Sequence, residues 1–256
     1  MKFGVFVLVP LQAMQKEWFS SWFDTPYYHI LYKNRDYTEA SLFIDNITQF
    51  LKLKQDAICW DLCCGKGRHS IYLNSKGYYV EGTDLSMKSI DEATKSANDT
   101  LQFYQHDMRK LFRTNYFDVV FNLFTSFGYF ERREDDLHVF DAVQKALKPG
   151  GLFVFDYLNA AYVSQALVPQ DTKQMEGITF SISKKIENNT IIKDIDFTDK
   201  GEQYHFEERV KLFDKPYFEG LAKDCNLKIL HTFGNYQLQA FDASASPRLI
   251  LVMQKS

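Results

Sequence analysis

The chain lacks a cysteine framework, a surplus of basic charge and an apolar run long enough to cross a membrane. Its 256 residues contain only Cys59, Cys63, Cys64 and Cys225. Three of these crowd into one short stretch, which excludes a disulfide-stapled secreted scaffold. The spacing C-x3-C-C answers to no usual zinc pattern and no histidine pair stands nearby. The thiols therefore read as small buried hydrophobes of a reducing compartment, and no metal is expected. Lys+Arg 30 are nearly balanced by Asp+Glu 33, so nothing marks a surface for nucleic acid or an anionic membrane. Repeats, low-complexity tracts and Gly/Pro-rich linkers are absent too, which sets aside disorder, collagen and coiled coil.

Aromatics are plentiful. Phe 23, Tyr 15 and Trp 3 supply bulk for a sizeable core and for an aromatic-lined pocket. Lys2 and the apolar FGVFVLVPLQA after it faintly resemble an export signal ending at Ala13, but Pro10 interrupts the run. Spanning a bilayer takes about 20 apolar residues. Residues 1–13 are read as a dispensable extension, with Met14 as an alternative start and a cytoplasmic location for the body of the chain.

Residues 14–55 read as an N-terminal helical cap, with Phe43, Ile47, Phe50 and Leu51 spaced at three and four. Asn46 is the one polar residue on that stripe. Residues 57–64 (AICWDLCC) form a short apolar run ending at glycines, as a strand buried on both faces should. Segments 78–84, 101–107, 117–123 and 151–156 are further strands. Helical segments lie between, with Gly77 closing one and Ser86 capping the next. A last helix at 217–225 and strands at 227–233 and 248–254 complete the pattern. Strand and helix in alternation call for parallel strands joined by right-handed crossovers. The expected fold is α/β: a Rossmann-like, seven-stranded, mostly parallel sheet with helices on both faces.

Residues 160–214 break the alternation. Ile178, Phe180 and Ile182 alternate with polar neighbours, as do Ile195 and Phe197, and Tyr204, Phe206, Val210 and Leu212 nearly do. This is expected to be a small antiparallel β insertion of three strands, polar on one face. The whole is then a single domain: a core at 56–159, the insertion, and a C-terminal helix with closing strands at 215–256.

In an open parallel sheet, ligands bind beyond the carboxyl ends of the strands where strand order reverses. The first strand runs into Asp61-Leu62-Cys63-Cys64-Gly65-Lys66-Gly67, and a second acid, Asp84, follows 23 residues after Asp61. Such an acid is placed to take both ribose hydroxyls of a nucleoside cofactor. The pattern fits two cofactors. A nicotinamide dinucleotide wants a third loop glycine where Ser70 stands. S-adenosylmethionine has a cationic end that an acid such as Asp61 can face.

The stretches DLCCGKGRHS, VEGTDLS, HDM, FDVVFNLFTSFGYF and LKPGGLFVFDYLN together resemble the class I S-adenosylmethionine-dependent methyltransferases. Within that family the likeness is greatest to bacterial small-molecule enzymes with GKGRHS-type loops. YKNRDYTEA and SPRLILV also look like that group. The family's first loop glycine is replaced by Cys63.

The resemblance implies S-adenosyl-L-methionine as cofactor. Asp61, Cys63, Gly65 and Gly67 would pack against its methionyl part, and Asp84 would hold the ribose. Leu85 would flank the adenine, Asp107 would accept from its amino group, and Met108 would lie against the ring. Asn122 and Phe124, in the segment 122–125, would pass beneath the sulfonium. Arg35, with Tyr28 or Tyr37, would reach the methionyl carboxylate. Tyr129 and Tyr157 are candidates for the acceptor pocket, and no residue stands out as a general base. His69, His205 and His231 read as structural.

Asn122 is followed by Leu123-Phe124, so the N-P-P-Y-type motif of nucleic-acid and protein amino-methyltransferases is absent. The expected partner is a small-molecule methyl acceptor, with no nucleic acid or membrane partner and with room for a homodimer. Cofactor binding without turnover, and a nicotinamide oxidoreductase, are the competing readings.

Overall fold

The computed structural model describes residues 17–33 and 37–256. Expectations for residues 1–13 and for Arg35 lie outside the described residues. Helices α1 (Trp18–Trp22), α2 (Pro26–Leu31) and α3 (Tyr37–Leu51) precede the first strand. The core then runs β1 (Ile58–Leu62), α4 (Arg68–Ser75), β2 (Tyr79–Asp84), α5 (Met87–Thr94), β3 (Leu101–Gln105), β4 (Phe117–Asn122), α6 (Arg133–Ala146) and β5 (Leu147–Leu158). After α7 (Ala160–Gln165) come β6 (Gln170–Met175), β7 (Ile178–Glu187), β8 (Thr190–Asp199) and β9 (Glu202–Lys211). Helix α8 (Lys215–Asp224) and strands β10 (Leu227–Phe233) and β11 (Arg248–Lys255) close the chain.

The main sheet is seven-stranded in the order β10-β11-β5-β4-β1-β2-β3. β1 pairs in parallel with β2 on one side and β4 on the other. Successive crossovers therefore leave β1 in opposite directions, and a crevice opens at the carboxyl ends of β1 and β4. β11 runs antiparallel to both of its neighbours. Side chains that alternate along a strand fall on opposite faces. Trp60, Val120 and Phe155 join α6 and α8 on one face, while Cys59, Phe121 and Val154 meet Phe43, Ile44 and Ile47 of α3 on the other. Asn46, the polar residue on the α3 stripe, donates to the Tyr236 carbonyl at 2.8 Å.

The insertion is an antiparallel sheet of four strands, β6-β7-β8-β9, one more than the periodicity indicates. β6 reads QDTKQM and is largely exposed. As a polar edge strand it carries no apolar alternation, so nothing in its sequence announces it. The apolar face formed by Phe180, Ile182, Ile195 and Phe197 is covered by Trp22 and Leu31 of α1 and α2. β5 also begins earlier than 151: Leu147 already pairs with Phe117, and a register shift accommodates Pro149 and Gly150.

Gly128, in the loop between β4 and α6, shows how tightly the elements meet. Its φ is +87°, and a Cβ there would collide with the Tyr157 hydroxyl. Gly177, at the β6–β7 turn, has φ +83° but faces open space. Left-handed backbone alone costs an L-residue roughly 1–2 kcal/mol, and a core collision adds roughly 1–3 kcal/mol. Gly128→Ala is therefore expected to destabilise the protein by about 3 kcal/mol and Gly177→Ala by about 1 kcal/mol, read as midpoint shifts in urea unfolding. Equal losses at the two positions would contradict this account of Gly128.

Candidate active site

A cavity of about 540 Å³ opens at the carboxyl ends of β1, β2 and β4. The β1–α4 loop forms one wall. Cys63 adopts φ +65°, the left-handed conformation a glycine takes freely, and its thiol donates to the Met108 sulfur at 3.5 Å. Gly65, at φ +56°, has nothing within 4 Å of where a Cβ would stand, so the backbone itself faces the cavity. Its amide donates to Asp84 Oδ2 and the Ser86 amide to Oδ1, both at 2.9 Å. Burial pushes the Asp84 carboxyl above the usual carboxylate range, and these amide bonds work against that rise.

Asp107 lies further along the wall. Burial pushes its carboxyl up, but hydrogen bonds from Arg109 and the charge of that guanidinium outweigh burial and hold it below its ordinary value. Arg109 also donates to Glu17, at 2.8 and 3.0 Å, which ties the start of α1 to this wall. Asp24 fastens the α1–α2 link by accepting from Ser86 Oγ at 2.8 Å.

The β4–α6 loop forms a neighbouring part of the wall, its Phe124 ring stacked on His69 at 5.0 Å. Phe124 and Thr125 both sit left-handed, at φ 57° and 61°. Asp156, fully buried, accepts from the Phe124 amide at 2.7 Å, Arg248 Nε at 2.8 Å and the Tyr236 hydroxyl at 3.1 Å. Arg248 donates onward to Thr125 Oγ1 at 2.8 Å. This gives the SPRLILV segment its local role: its arginine braces the loop.

Of the residues singled out in the sequence, Tyr28, Cys63, Gly65, Asp84, Leu85, Asp107, Met108, Phe124 and Tyr129 line the cavity together. Four others lie outside the cavity lining. Asp61 is buried beneath the loop, accepting from Ser70 Oγ at 2.5 Å. Gly67 is pressed against the Phe103 ring, which a Cβ would meet at 2.7 Å. Asn122 turns its amide toward the Leu62 carbonyl at 3.2 Å. Tyr157 is wholly buried in the core between Phe155 and Phe218 and donates to the Lys211 carbonyl, so it does not face the cavity.

Glu208 was missed. It lines the cavity from β9, where it receives the Trp22 indole N–H at 2.7 Å and the Tyr32 hydroxyl at 2.8 Å. The signal was available: Tyr204, Phe206 and Val210 define an apolar register, and Glu208 is the acid that interrupts it.

Residues 60–151 match a family model described as "Methyltransferase domain". Over 209 residues the chain is 30% identical to "Putative methyltransferase YqeM" of Bacillus subtilis (strain 168), covering 77% of this chain and 83% of that protein. A solved structure of an S-adenosylmethionine-dependent methyltransferase from Clostridium acetobutylicum ATCC 824 superposes with a TM-score of 0.76 at 22% identity, over 90% of this chain and 96% of that one. S-adenosylmethionine-bound CalS10, an amino pentose methyltransferase from Micromonospora echinaspora, superposes with a TM-score of 0.66 at 17% identity, over 91% and 98%. These two likenesses establish a common fold.

Asp61 supplies a test of the loop's foundation. Burial raises its carboxyl to about 6, opposed by the Ser70 hydrogen bond. A carboxyl raised on folding favours the folded state fully below its unfolded value near 4, and that contribution is lost as pH rises through about 6. Asp61→Asn should abolish this dependence. Relative to the variant, the wild type should lose on the order of 3 kcal/mol of stability between pH 4 and pH 7.5, measured by urea unfolding at each pH. A pH-independent difference would show that Asp61 titrates normally.

Proposed function

The chain belongs to the S-adenosylmethionine-dependent methyltransferases, and on that premise we propose that its cavity holds the methyl donor across the β1–α4 and β4–α6 loops and a small-molecule acceptor beneath the rings of α1 and α2. The observation that carries the reading is the pairing of Gly65 with Asp84. A bare backbone wall faces open space, and beside it stands a carboxylate that two amides fix at the end of β2. That combination suits a nucleoside diol, whose hydroxyls donate to the remaining carboxylate lone pairs.

The bound cofactor supplies a methyl group on a sulfonium with a good, neutral leaving group. The chain then has chiefly to align the partners and keep the site dry. Asp84 holds the ribose, Leu85 and Met108 flank the base, and Asp107 accepts from its exocyclic amine. The charge of Arg109 keeps Asp107 ionised for that task. Phe124 and Thr125 pass beneath the reacting centre, immobilised from behind by Asp156 and Arg248. Trp18, Phe23 and Tyr129 close the other side as edge-to-face pairs 5.5–5.6 Å apart and exclude water.

The four-stranded sheet acts through α1 and α2. Its apolar face grips Trp22 and Leu31, and β9 adds Glu208 and Val210 to the cavity wall. It is a clamp on the acceptor side. A small polar acceptor agrees with the balanced surface charge and with the amino pentose substrate class of CalS10. A cytoplasmic setting agrees with four unpaired thiols; among the described residues no helix is long and apolar enough to cross a membrane.

Calorimetry with S-adenosylmethionine and with NAD tests the donor assignment. The wild type should bind the former and ignore the latter. Asp84→Ala should weaken S-adenosylmethionine at least roughly tenfold, about 1.4 kcal/mol, while remaining folded. Unchanged affinity in a folded variant would remove Asp84 from the site.

The clamp makes a separate prediction. The Phe206 ring lies 4.3 Å from that of Trp22, and Phe206→Ala should loosen α1. Turnover of acceptor should fall several-fold while S-adenosylmethionine affinity changes less than about twofold. The reverse pattern would move the sheet's role to the donor side.

A further inference from the structure

Glu208 is a carboxylate on the apolar face of a strand, its side chain only 14% exposed. Burying such a group is costly unless it is paired, and pairing is present. Trp22 and Tyr32 donate to it. Lys193, its register partner on β8, lies 3.2 Å away and is itself 15% exposed. Lys193 also contacts the Tyr32 hydroxyl. The arrangement is one-sided. Glu208 and Tyr32 line the cavity, whereas Lys193 and Trp22 do not. The counter-charge stands behind the carboxylate, and the acid faces the chamber.

The surface around it is made of ring faces and edges. Tyr32 lies 4.9 Å from Tyr28, Tyr28 lies 4.8 Å from Phe23, and Phe23 lies 5.5 Å from Tyr129. Aromatic faces attract cations through their quadrupoles. Tyr32, the hydroxyl nearest the acid, already donates its proton to Glu208. This part of the wall thus offers a ligand negative charge, oxygen lone pairs and π faces. Lys33, a cation on the same cavity wall, is engaged by Glu176 at 2.5 Å. A hydroxylic acceptor would donate to the carboxylate but leave its charge and the π faces unmatched, and an apolar one would match neither. A basic amino group satisfies both the acid and the rings.

We propose that the methyl acceptor carries a basic amino group and that Glu208, held by Trp22 and Tyr32 among the rings of α1, α2 and the β4–α6 loop, is the residue that selects it over an alcohol of the same shape. This rests on the acceptor chamber assigned above. Glu208 is here a specificity residue. Its charge recognises the ammonium form, and Tyr32 and Trp22 orient its oxygens.

The test uses the full chain saturated with S-adenosylhomocysteine and follows tryptophan fluorescence, since Trp18 lines the chamber and the Trp22 indole donates to Glu208. Cyclohexylammonium is titrated against cyclohexanol, and 3-amino-3-deoxyglucose against glucose. At least one ammonium probe should bind ten times more tightly than its alcohol. Glu208→Gln should abolish that preference with S-adenosylhomocysteine affinity retained, while the melting temperature falls because Lys193 is left without its counter-charge. Lys193→Met removes the charge behind the acid and leaves the cavity wall intact, so it should widen the preference. The proposal is overturned if neither ammonium is preferred, if Glu208→Gln keeps the preference, or if Lys193→Met narrows it. Failure of the wild type to bind S-adenosylhomocysteine at all would instead overturn the donor assignment of the preceding section.

Discussion

The buried carboxylate of Asp156 is the point on which the cavity depends. It sits on β5 with no exposure and collects donors from the β4–α6 loop, from β11 and from Tyr236 in the segment joining β10 to β11. Phe124 and Thr125 are held in a conformation that costs an L-residue roughly 1–2 kcal/mol each. Breaking a buried ion pair such as Asp156–Arg248 costs roughly 3–5 kcal/mol, because the remaining charge is left without a partner. The bonds from the Phe124 amide to Asp156 and from Arg248 to Thr125 Oγ1 hold the loop in that conformation. The loop stays where β4 leaves it, and the Phe124 ring packs between His69 and Tyr236 at 5.0 and 5.1 Å. Strain of this kind is kept near working sites because the surrounding structure over-determines it.

The roof of the cavity has a different physical basis. Helices α1 and α2 are five and six residues long, well below the length at which an isolated helix is stable in water. Their order comes from what grips them. The apolar face of the four-stranded sheet covers Trp22 and Leu31, Arg109 holds Glu17, Ser86 donates to Asp24, and Tyr27 donates to Asp199 at 3.0 Å. A rigid floor built on parallel strands thus meets a roof assembled from small, separate ties. Elements held this way open at lower free energy than the core does, which suits a wall that ligands must pass.

The cysteines of the β1–α4 loop illustrate how burial controls reactivity. A thiolate would compete with the acceptor for an electrophilic methyl group. Burial, reinforced by the charges of Asp84 and Asp61, pushes both the Cys63 and Cys64 thiols well above their ordinary range and keeps them protonated. Cys63 is small enough to follow the glycine-like turn of the loop. Its sulfur gives the loop a contact with Met108 that a glycine could not make.

The sequence alone determined the parallel core, the glycine loop and the acid at the end of β2. Each rests on local signals: apolar runs of strand length, a glycine at a tight turn, an N-cap serine, and a fixed spacing between two acids. The left-out edge strand β6 was invisible because an exposed polar strand carries no pattern. The assignments of Asp61 and Tyr157 illustrate the other limit. Spacing placed both near the strand ends, but which way a side chain turns depends on what is packed against it. Ser70 and the core beneath β9 drew them away from the cavity. Only the tertiary structure brought Glu208, Tyr32 and Lys193 together. They lie on separate elements of the chain, and no sequence pattern states which faces of a sheet and two short helices will meet.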